Sequence, residues 1–342
     1  DNIRSGKFRA VLVGSSEAPL TPDVIEGYRT MGALAEDEAL RKLDGTDEAN
    51  YQRACRPFAE NCGFTLAEGS QFVILFDDEL ALELGANIYG AVADVFINAD
   101  GFKKSIPGPG IGNYVTVGKA MGVIRSILGE DSLRNRSYMQ AHGTGTPQNR
   151  ITESHIFDEM AKNFGINNWP VAAIKSYIGH SLACASGDQI ISSLGVWNDG
   201  IIPGIHSIDK IADDVHSDNL DFLLQHKEVD PESIDVSFIN SKGFGGNNAT
   251  AAILAPHVVN NMMEKRHGKK AMTSHAHLNE AVQENTHDYD EEMIKGNNSL
   301  IYQFGVGVIE GDELEITPDK ISIPGHSQDI SLDVPNPYED MS

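Results

Sequence analysis

Cysteine is scarce in this chain, with three residues in 342: Cys55, Cys62 and Cys184. Their spacing fits neither a disulfide framework nor a zinc site, so a reducing, cytoplasmic setting is the expectation and no metal is called for. Basic residues are outnumbered, 26 Lys and Arg against 50 Asp and Glu, for a formal net charge of −24. That field repels phosphate backbones and anionic bilayers, which removes nucleic acid and membrane surfaces from the expected partners. No apolar run reaches the roughly 18 residues that a membrane span requires. The opening DNIRSGKFRA has no apolar signal-peptide core. Gly (33) and Pro (14) are too few for a low-complexity chain, and a 40% hydrophobic content can fill one large core or two packed halves.

What is present alternates. AVLVG (10–14), QFVILF (71–76) and IYGAVADVFINAD (88–100) read as strands. PLTPDVIEGYRTMGAL (19–34), DELALELGA (78–86) and GNYVTVGKAMGVIRSILG (112–129) read as helices. A second set follows, with strands at 137–143 and 170–176 and helices at 151–165 and 182–200. SIDVSFINSKGFGGNNATAAILAP (233–256) reads as two strands around a Gly-rich turn. The alternation predicts an α/β fold with a largely parallel sheet. Composition turns polar after Pro256, and half of the 12 histidines lie beyond it. The segments 301–311 and 314–323 suggest a hairpin. The expected divisions are 1–130, 131–256 and a C-terminal extension, 257–342, whose histidines are expected on a solvated surface.

Three Gly-rich stretches leave predicted strands: AHGTGTP (141–147), KSYIGHSLACASG (175–187) and NSKGFGGNNA (240–249). Singly, each reads as an ordinary turn with an incidental His, Lys or Phe. In parallel α/β sheets, however, ligand sites form where loops leave the carboxyl ends of strands, and glycines let the backbone approach a ligand. Two histidines and a lysine on successive loops of that kind form a candidate site.

The ordered set HGTGT, KSxIGH and NSxGFGGxNA resembles the C-terminal half of the β-ketoacyl synthases of the thiolase fold. VLVGSSEAPLTPDVIEGYRTMGAL and CRPFAENCGFTLAEGSQFVIL resemble upstream segments of the same family, so the similarity spans about residues 5–256. It implies a thiolase-like, layered αβαβα architecture: an incomplete N-terminal half in 1–130 and a full C-terminal half in 131–256. It also implies decarboxylative condensation of malonyl-acyl carrier protein with an enzyme-bound acyl thioester, in fatty-acid or polyketide-like synthesis. The implied catalytic residues are His142, His180 and Lys175. The histidines would be neutral donors to the developing enolate oxygen, because burial lowers an imidazole pKa. Thr144 and Thr146 match hydroxyls that bind a phosphopantetheine arm, which carries the substrates, so no separate cofactor is implied. Phe244 matches the residue that gates the acyl pocket and offers an oxyanion N–H. Glu153 matches a supporting glutamate and is expected to pair with Lys175. The implied partners are acyl carrier protein and a second copy in a homodimer.

Departures shape the rest of the reading. The family's nucleophilic cysteine aligns about a dozen residues before Asp1. The chain as it stands is therefore expected to be inactive in condensation alone, and to expose an apolar edge that needs a missing N-terminal segment. Cys55, Cys62 and Cys184 are expected to be structural. Arg150 stands where the family has Asp, and Lys242 where it has the first aromatic of FGFGG. The alternative is a non-catalytic, synthase-like subunit that shapes the acyl tunnel of a catalytic mate. A scaffold has no chemical reason to keep His142, Lys175 and His180. A thiolase-like relative acting on coenzyme A thioesters is a third reading, but its last Gly-rich loop would carry a cysteine, and NSKGFGGNNA has none.

Overall fold

The computed structural model describes residues 2–101, 110–297 and 303–341. It divides into two units, 1–283 and 284–342. In the first unit, β1 (Ala10–Glu17) leads through α1 (Pro22–Thr30) and α2 (Asp37–Asp44) to β2 (Gly69–Phe76). β1 and β2 pair antiparallel along their whole length, Ala10 opposite Phe76 and Glu17 opposite Gly69. Leu12, Phe72 and Ile74 of this ribbon are exposed. α3 (Asp78–Leu84) starts where the Asp77 carboxylate accepts from Leu80 N at 2.6 Å, and it stops at Gly85 in the left-handed conformation.

β3 (Ala91–Ala99), α4 (Ile111–Leu128) and α5 (Glu130–Asn135) then lead into β4 (Ser137–Gln140). α6 (Pro147–Phe164), β5 (Trp169–Ala172), the short α7 (Lys175–Ile178) and α8 (Ala185–Asp199) follow. β6 (Ile201–Ile202) pairs with β8 (Lys227–Glu228), and β7 (Leu220–Phe222) lies between them in sequence. β9 (Val236–Gly243) and β10 (Asn247–Leu254) form a hairpin.

The main sheet runs β3-β10-β9-β4-β5-β7. It is mixed, not largely parallel: β9, β4, β5 and β7 are parallel, while β3, β10 and β9 are antiparallel. The reason is the turn at 244–246, where Gly245 and Gly246 take φ of +82° and +81° and reverse the chain within a few residues. Only antiparallel strands can be joined so tightly. The same sheet recruits β3, which the sequence reading had placed before the division at residue 130.

The core lies around α4, α6, α8 and this sheet. Tyr138, Met139, Phe157, Trp169, Val236 and Phe238 are buried in one cluster. Trp169 Nε1 donates to Ser137 Oγ at 3.0 Å and Tyr138 Oη to Ser193 Oγ at 3.0 Å, so the polar tips of these large rings are satisfied.

α9 (Pro256–Ile294) is long and interrupted at Gly268, where φ is +83°. The histidines on its first part are not on a solvated surface. His267 Nε2 meets Asp78 Oδ2 at 2.6 Å, and the buried His275 meets Ala86 O at 2.9 Å. His277 and His287 are exposed, as expected of a solvated surface, so the polar composition there marks one face of a docked helix. The second unit contains a small antiparallel sheet, β11 (Glu315–Ile316), β12 (Lys320–Ser322) and β13 (Ile330–Ser331). The hairpin expected over 301–311 and 314–323 begins outside the described residues, and residues 303–311 contain no strand. Among the described residues, no helix is long and apolar enough to cross a membrane.

Candidate active site

Three loops leave the main sheet and meet. The first follows β4. Ala141 N donates to Ala172 O at 2.8 Å and carries the β4–β5 pairing to the base of His142. Beyond it, Gly143 takes φ of +53°, and a Cβ there would lie 2.8 Å from the Ala173 Cβ. Only glycine fits that turn. Thr146 then precedes Pro147 at the start of α6, and the Thr144 and Thr146 hydroxyls lie 3.1 Å apart.

The turn is held by one carboxylate. Glu153 on α6 is fully buried. It accepts from His142 N at 2.7 Å, Gly143 N at 2.9 Å, Asn149 Nδ2 at 2.9 Å and Asn240 Nδ2 at 2.8 Å. Glu153 therefore does not pair directly with Lys175 as expected: its oxygens are taken by four N–H donors. It still attracts the Lys175 ammonium through space.

Lys175 opens α7, is 1% exposed, and has no hydrogen-bond partner at Nζ among the described residues. Burial lowers its pKa to about 8, against the pull of Glu153. The folded value lies below the ordinary lysine value of 10.5, so the native state holds the proton less tightly than the unfolded chain. Stability is thus reduced below pH 8 and recovers as pH rises toward 10.5. Lys175→Met should raise the unfolding free energy at pH 7 by about 1–3 kcal/mol while damaging the site. Urea titration at pH 7 and 10 would check it; equal wild-type and variant stability at pH 7 would contradict it.

His180 lies in the same stretch as Lys175, zipped against residues 65–67. His180 N donates to Thr65 O at 2.8 Å and Ala67 N to His180 O at 3.0 Å. Leu182 N donates to His180 Nδ1 at 3.1 Å, so the neutral ring carries its proton on Nε2. The His142 and His180 rings are 5.3 Å apart at 84°. Burial holds both well below the ordinary imidazole value of 6.5. The Lys175 charge acts in the same direction on both, and His180 and Lys242 add to it at His142. Both imidazoles are neutral at physiological pH.

Phe244 sits on the β9–β10 turn and is 39% exposed. It is connected inward by rings that the sequence motifs did not single out. Phe244 packs on Tyr28 of α1 at 5.9 Å, Tyr28 on Phe64 at 5.5 Å, and Phe64 on His180 at 5.3 Å. Tyr28 and Phe64 occur in the upstream segments GYRTM and CGFTL, where only the family pattern, not spacing, marked them.

Cys55 borders a cavity of about 430 Å³ whose lining includes Thr65, Lys175, Tyr177 and His206. Its thiol is buried and pushed up to about 11 by burial, despite the nearby Lys175. Cys184 is buried, with Sγ 3.0 Å from Gly69 O and 3.3 Å from Ser15 O. Cys62 is half-buried, and its thiol is also raised by burial. Under native conditions iodoacetamide should therefore label Cys62 alone, with Cys55 and Cys184 reacting only on unfolding. Mass mapping would show this, and native labelling of Cys55 would contradict it.

Arg150 is not a reacting group. It clamps Asp214 with two bonds of 2.8 Å and reaches Ala59 O at 3.2 Å and Asn61 Oδ1 at 3.3 Å. It thereby ties α6 to the loop carrying Cys55 and Phe64. Arg150→Ala should cost about 1–3 kcal/mol, since Asp214 is partly solvated. A thermal melt would check the loss.

Comparison with known proteins places the chain among condensing enzymes. The models for the N-terminal and C-terminal domains of β-ketoacyl synthases match residues 1–81 and 89–209. The chain is 50% identical over 341 residues to the β-ketoacyl-[acyl-carrier-protein] synthase FabY of Pseudomonas aeruginosa, covering all of this chain and 54% of that protein. It is 29% identical over 254 residues to 3-oxoacyl-[acyl-carrier-protein] synthase 2 of Staphylococcus aureus, covering 72% of this chain and 56% of that one. The crystal structure of the P. aeruginosa noncanonical ketosynthase FabY superposes with a TM-score of 0.90 at 50% identity, over 99% of this chain and 53% of that one. The chain thus spans about half the length of these relatives.

Proposed function

The chain belongs to the β-ketoacyl synthase family, and from that membership we propose that it carries the decarboxylating centre of a 3-oxoacyl-[acyl-carrier-protein] synthase. One observation carries the reading: two neutral imidazoles with ring centroids 5.3 Å apart, beside a buried lysine. A malonyl thioester enters with its carbonyl oxygen toward the histidine N–H groups. The bond to the carboxyl carbon breaks, carbon dioxide leaves, and the electron pair passes to the α-carbon and the thioester oxygen. Neutral donors stabilise that oxyanion without giving up their protons. The lowered pKa values of His142 and His180 suit this role. Lys175, mostly protonated at pH 7, lends a positive field that acts on both rings.

The acyl carrier protein is the partner, as the relatives' names suggest for those proteins. Thr144 and Thr146 hold its phosphopantetheine arm, and Phe244 gates the acyl pocket. The carbanion attacks an acyl thioester held on a thiol other than Cys55, Cys62 and Cys184, and the carbon–carbon bond forms as the carbon–sulfur bond breaks and the thiolate leaves; the Cys55 and Cys62 thiols are raised by burial and Cys184 is buried. Condensation therefore needs a nucleophile beyond these three. The free thiols suit the cytoplasm. Residues 257–342 serve as a non-catalytic extension, and a homodimer completes the assembly.

The test is release of carbon dioxide from malonyl-acyl carrier protein. His142→Asn and His180→Asn should each lower the rate about 100-fold or more. Variants that keep the wild-type rate would end the assignment. A wild-type chain that binds the carrier protein but never decarboxylates malonyl would favour the non-catalytic subunit instead.

A further inference from the structure

The lysine that interrupts the glycine-rich motif has a place in the structure that the family resemblance does not anticipate. Lys242 lies on β9 directly opposite Asn248 of β10 and is only 8% exposed. Its Nζ donates to Asn113 Oδ1 at 3.3 Å, in the first turn of α4, and to Asn248 Oδ1 at 3.4 Å. Both acceptors belong to longer chains of bonds. Asn248 Nδ2 reaches Asp100 Oδ1 at 2.9 Å and Gly246 O at 3.1 Å, the latter in the turn that carries Phe244. Asn113 exchanges side-chain bonds with Asn240 at 2.7 and 3.2 Å. Asn240 then donates to Glu153 at 2.8 Å, and Glu153 holds the His142 and Gly143 amides. Lys242 is therefore the link between the Gly246 end of this path and the Glu153 end.

We propose that Lys242 is a positioning residue: its ammonium clamps the Phe244 turn to the amide network that fixes Glu153, so that the gate and His142 move together. The inference rests on the functional reading for the names of gate and donor, but the clamp itself does not. Asn113 Oδ1 accepts from both Lys242 and Asn240, so losing the lysine removes this direct side-chain link and leaves the turn tied to α4 through the backbone ladder and, less directly, through Asp100 Oδ1, which accepts from Asn248 Nδ2 and from Gly112 N, each at 2.9 Å. Several charged or titratable groups act on the His142 ring or on its loop: Lys175 and His180 from the 175–180 stretch, Lys242 from β9, and Glu153 from α6 at the backbone. Among them Lys242 is the one that also bonds toward the gate.

The experiment compares Lys242→Met and Lys242→Gln with the full wild-type chain, with two readouts that need no turnover. In Lys242→Met, amide exchange at 243–247 should accelerate about tenfold or more, and the His142 ring proton should titrate at higher pH. Lys242→Gln keeps a donor without the charge. It should retain most of the loop protection yet show the same titration change, which a merely packing role would not produce. With malonyl-acyl carrier protein, Lys242→Met should lower kcat about tenfold with KM changed less than about threefold. Exchange and titration both within twofold of wild type would overturn the clamp whatever the activity. If Lys242→Met does not fold, Asn113→Ala removes the acceptor and keeps the lysine. It should loosen 243–247 in the same way, and unchanged protection there would overturn the proposal. Loss of turnover in wild type with both structural effects intact would count against the functional reading alone.

Discussion

Glu153→Ala is expected to lower the unfolding free energy by about 3–5 kcal/mol and to release the loop that carries His142. The size follows from the number of donors that converge on one carboxylate. Four N–H groups, from His142, Gly143, Asn149 and Asn240, spend their bonds on its two oxygens. The residue is fully buried, so water cannot replace it without opening the core. Each stranded donor costs about 1–3 kcal/mol, and partial relaxation keeps the sum below simple addition. Glu153→Gln should cost less, about 2–3 kcal/mol, because one amide oxygen can still accept while the amide nitrogen faces donors. Denaturant melts at pH 7.5 measure both. A Glu153→Ala chain within about 1 kcal/mol of wild type would mean that these bonds are not what holds the loop. Activity should fall in parallel, since His142 loses the amide contacts that set its position.

The legible and illegible parts of the fold divide by the range of the interactions. His142, Lys175, His180 and Phe244 could be read because each sits in a short Gly-containing segment after a strand, and local sequence sets such turns. Strands β1, β2 and β9 and helices α3, α4 and α6 were readable for the same reason: apolar period, Pro or Asp at the start, Gly at the end. The pairing of β3 with β10 was not readable, because strand order depends on contacts about 150 residues apart that leave no periodic trace. The same holds for Glu153. The family resemblance implies a partner for Lys175, whereas the bonds of Glu153 go to α6 itself, the His142 turn and β9. Tyr28 and Phe64 are aromatic residues in helices and loops with no local mark of function; only the folded path from Phe244 to His180 shows what they touch. Of the histidines of α9, His277 and His287 are exposed as expected, whereas His267 and His275 are covered, because a polar sequence with one buried face every few residues resembles a solvated one until its docking surface is known.

Acid should destabilise this chain well before its carboxylates titrate, because of His142 and His180. The unfolded chain takes up protons on these rings as pH falls through the ordinary imidazole value of 6.5, while the native rings, held well below it, do not. More protons bound by the unfolded state means that stability falls as pH falls. The loss begins near pH 7 and continues until the native pKa values are reached. Each ring contributes up to about 1.4 kcal/mol per pH unit, so the pair removes up to about 2.7 kcal/mol between pH 6 and pH 5. Asp44, Asp77, Asp214 and Asp235 are all lowered from the ordinary aspartate value of 3.8 in the native state. Their stabilisation is lost in a separate window, below about pH 4, so the two causes can be told apart. His206 is also lowered, but it is far more solvated and adds little between pH 5 and 6. A double variant, His142→Gln with His180→Gln, should flatten the melt-temperature profile between pH 7 and 5 while leaving the steep fall below pH 4 in place. If wild type and variant lose stability in parallel across pH 7 to 5, the native rings are taking up protons as readily as the unfolded chain. In that case the two histidines would enter the reaction as cations, and decarboxylation would have to fall, not rise, as pH increases through 6.5.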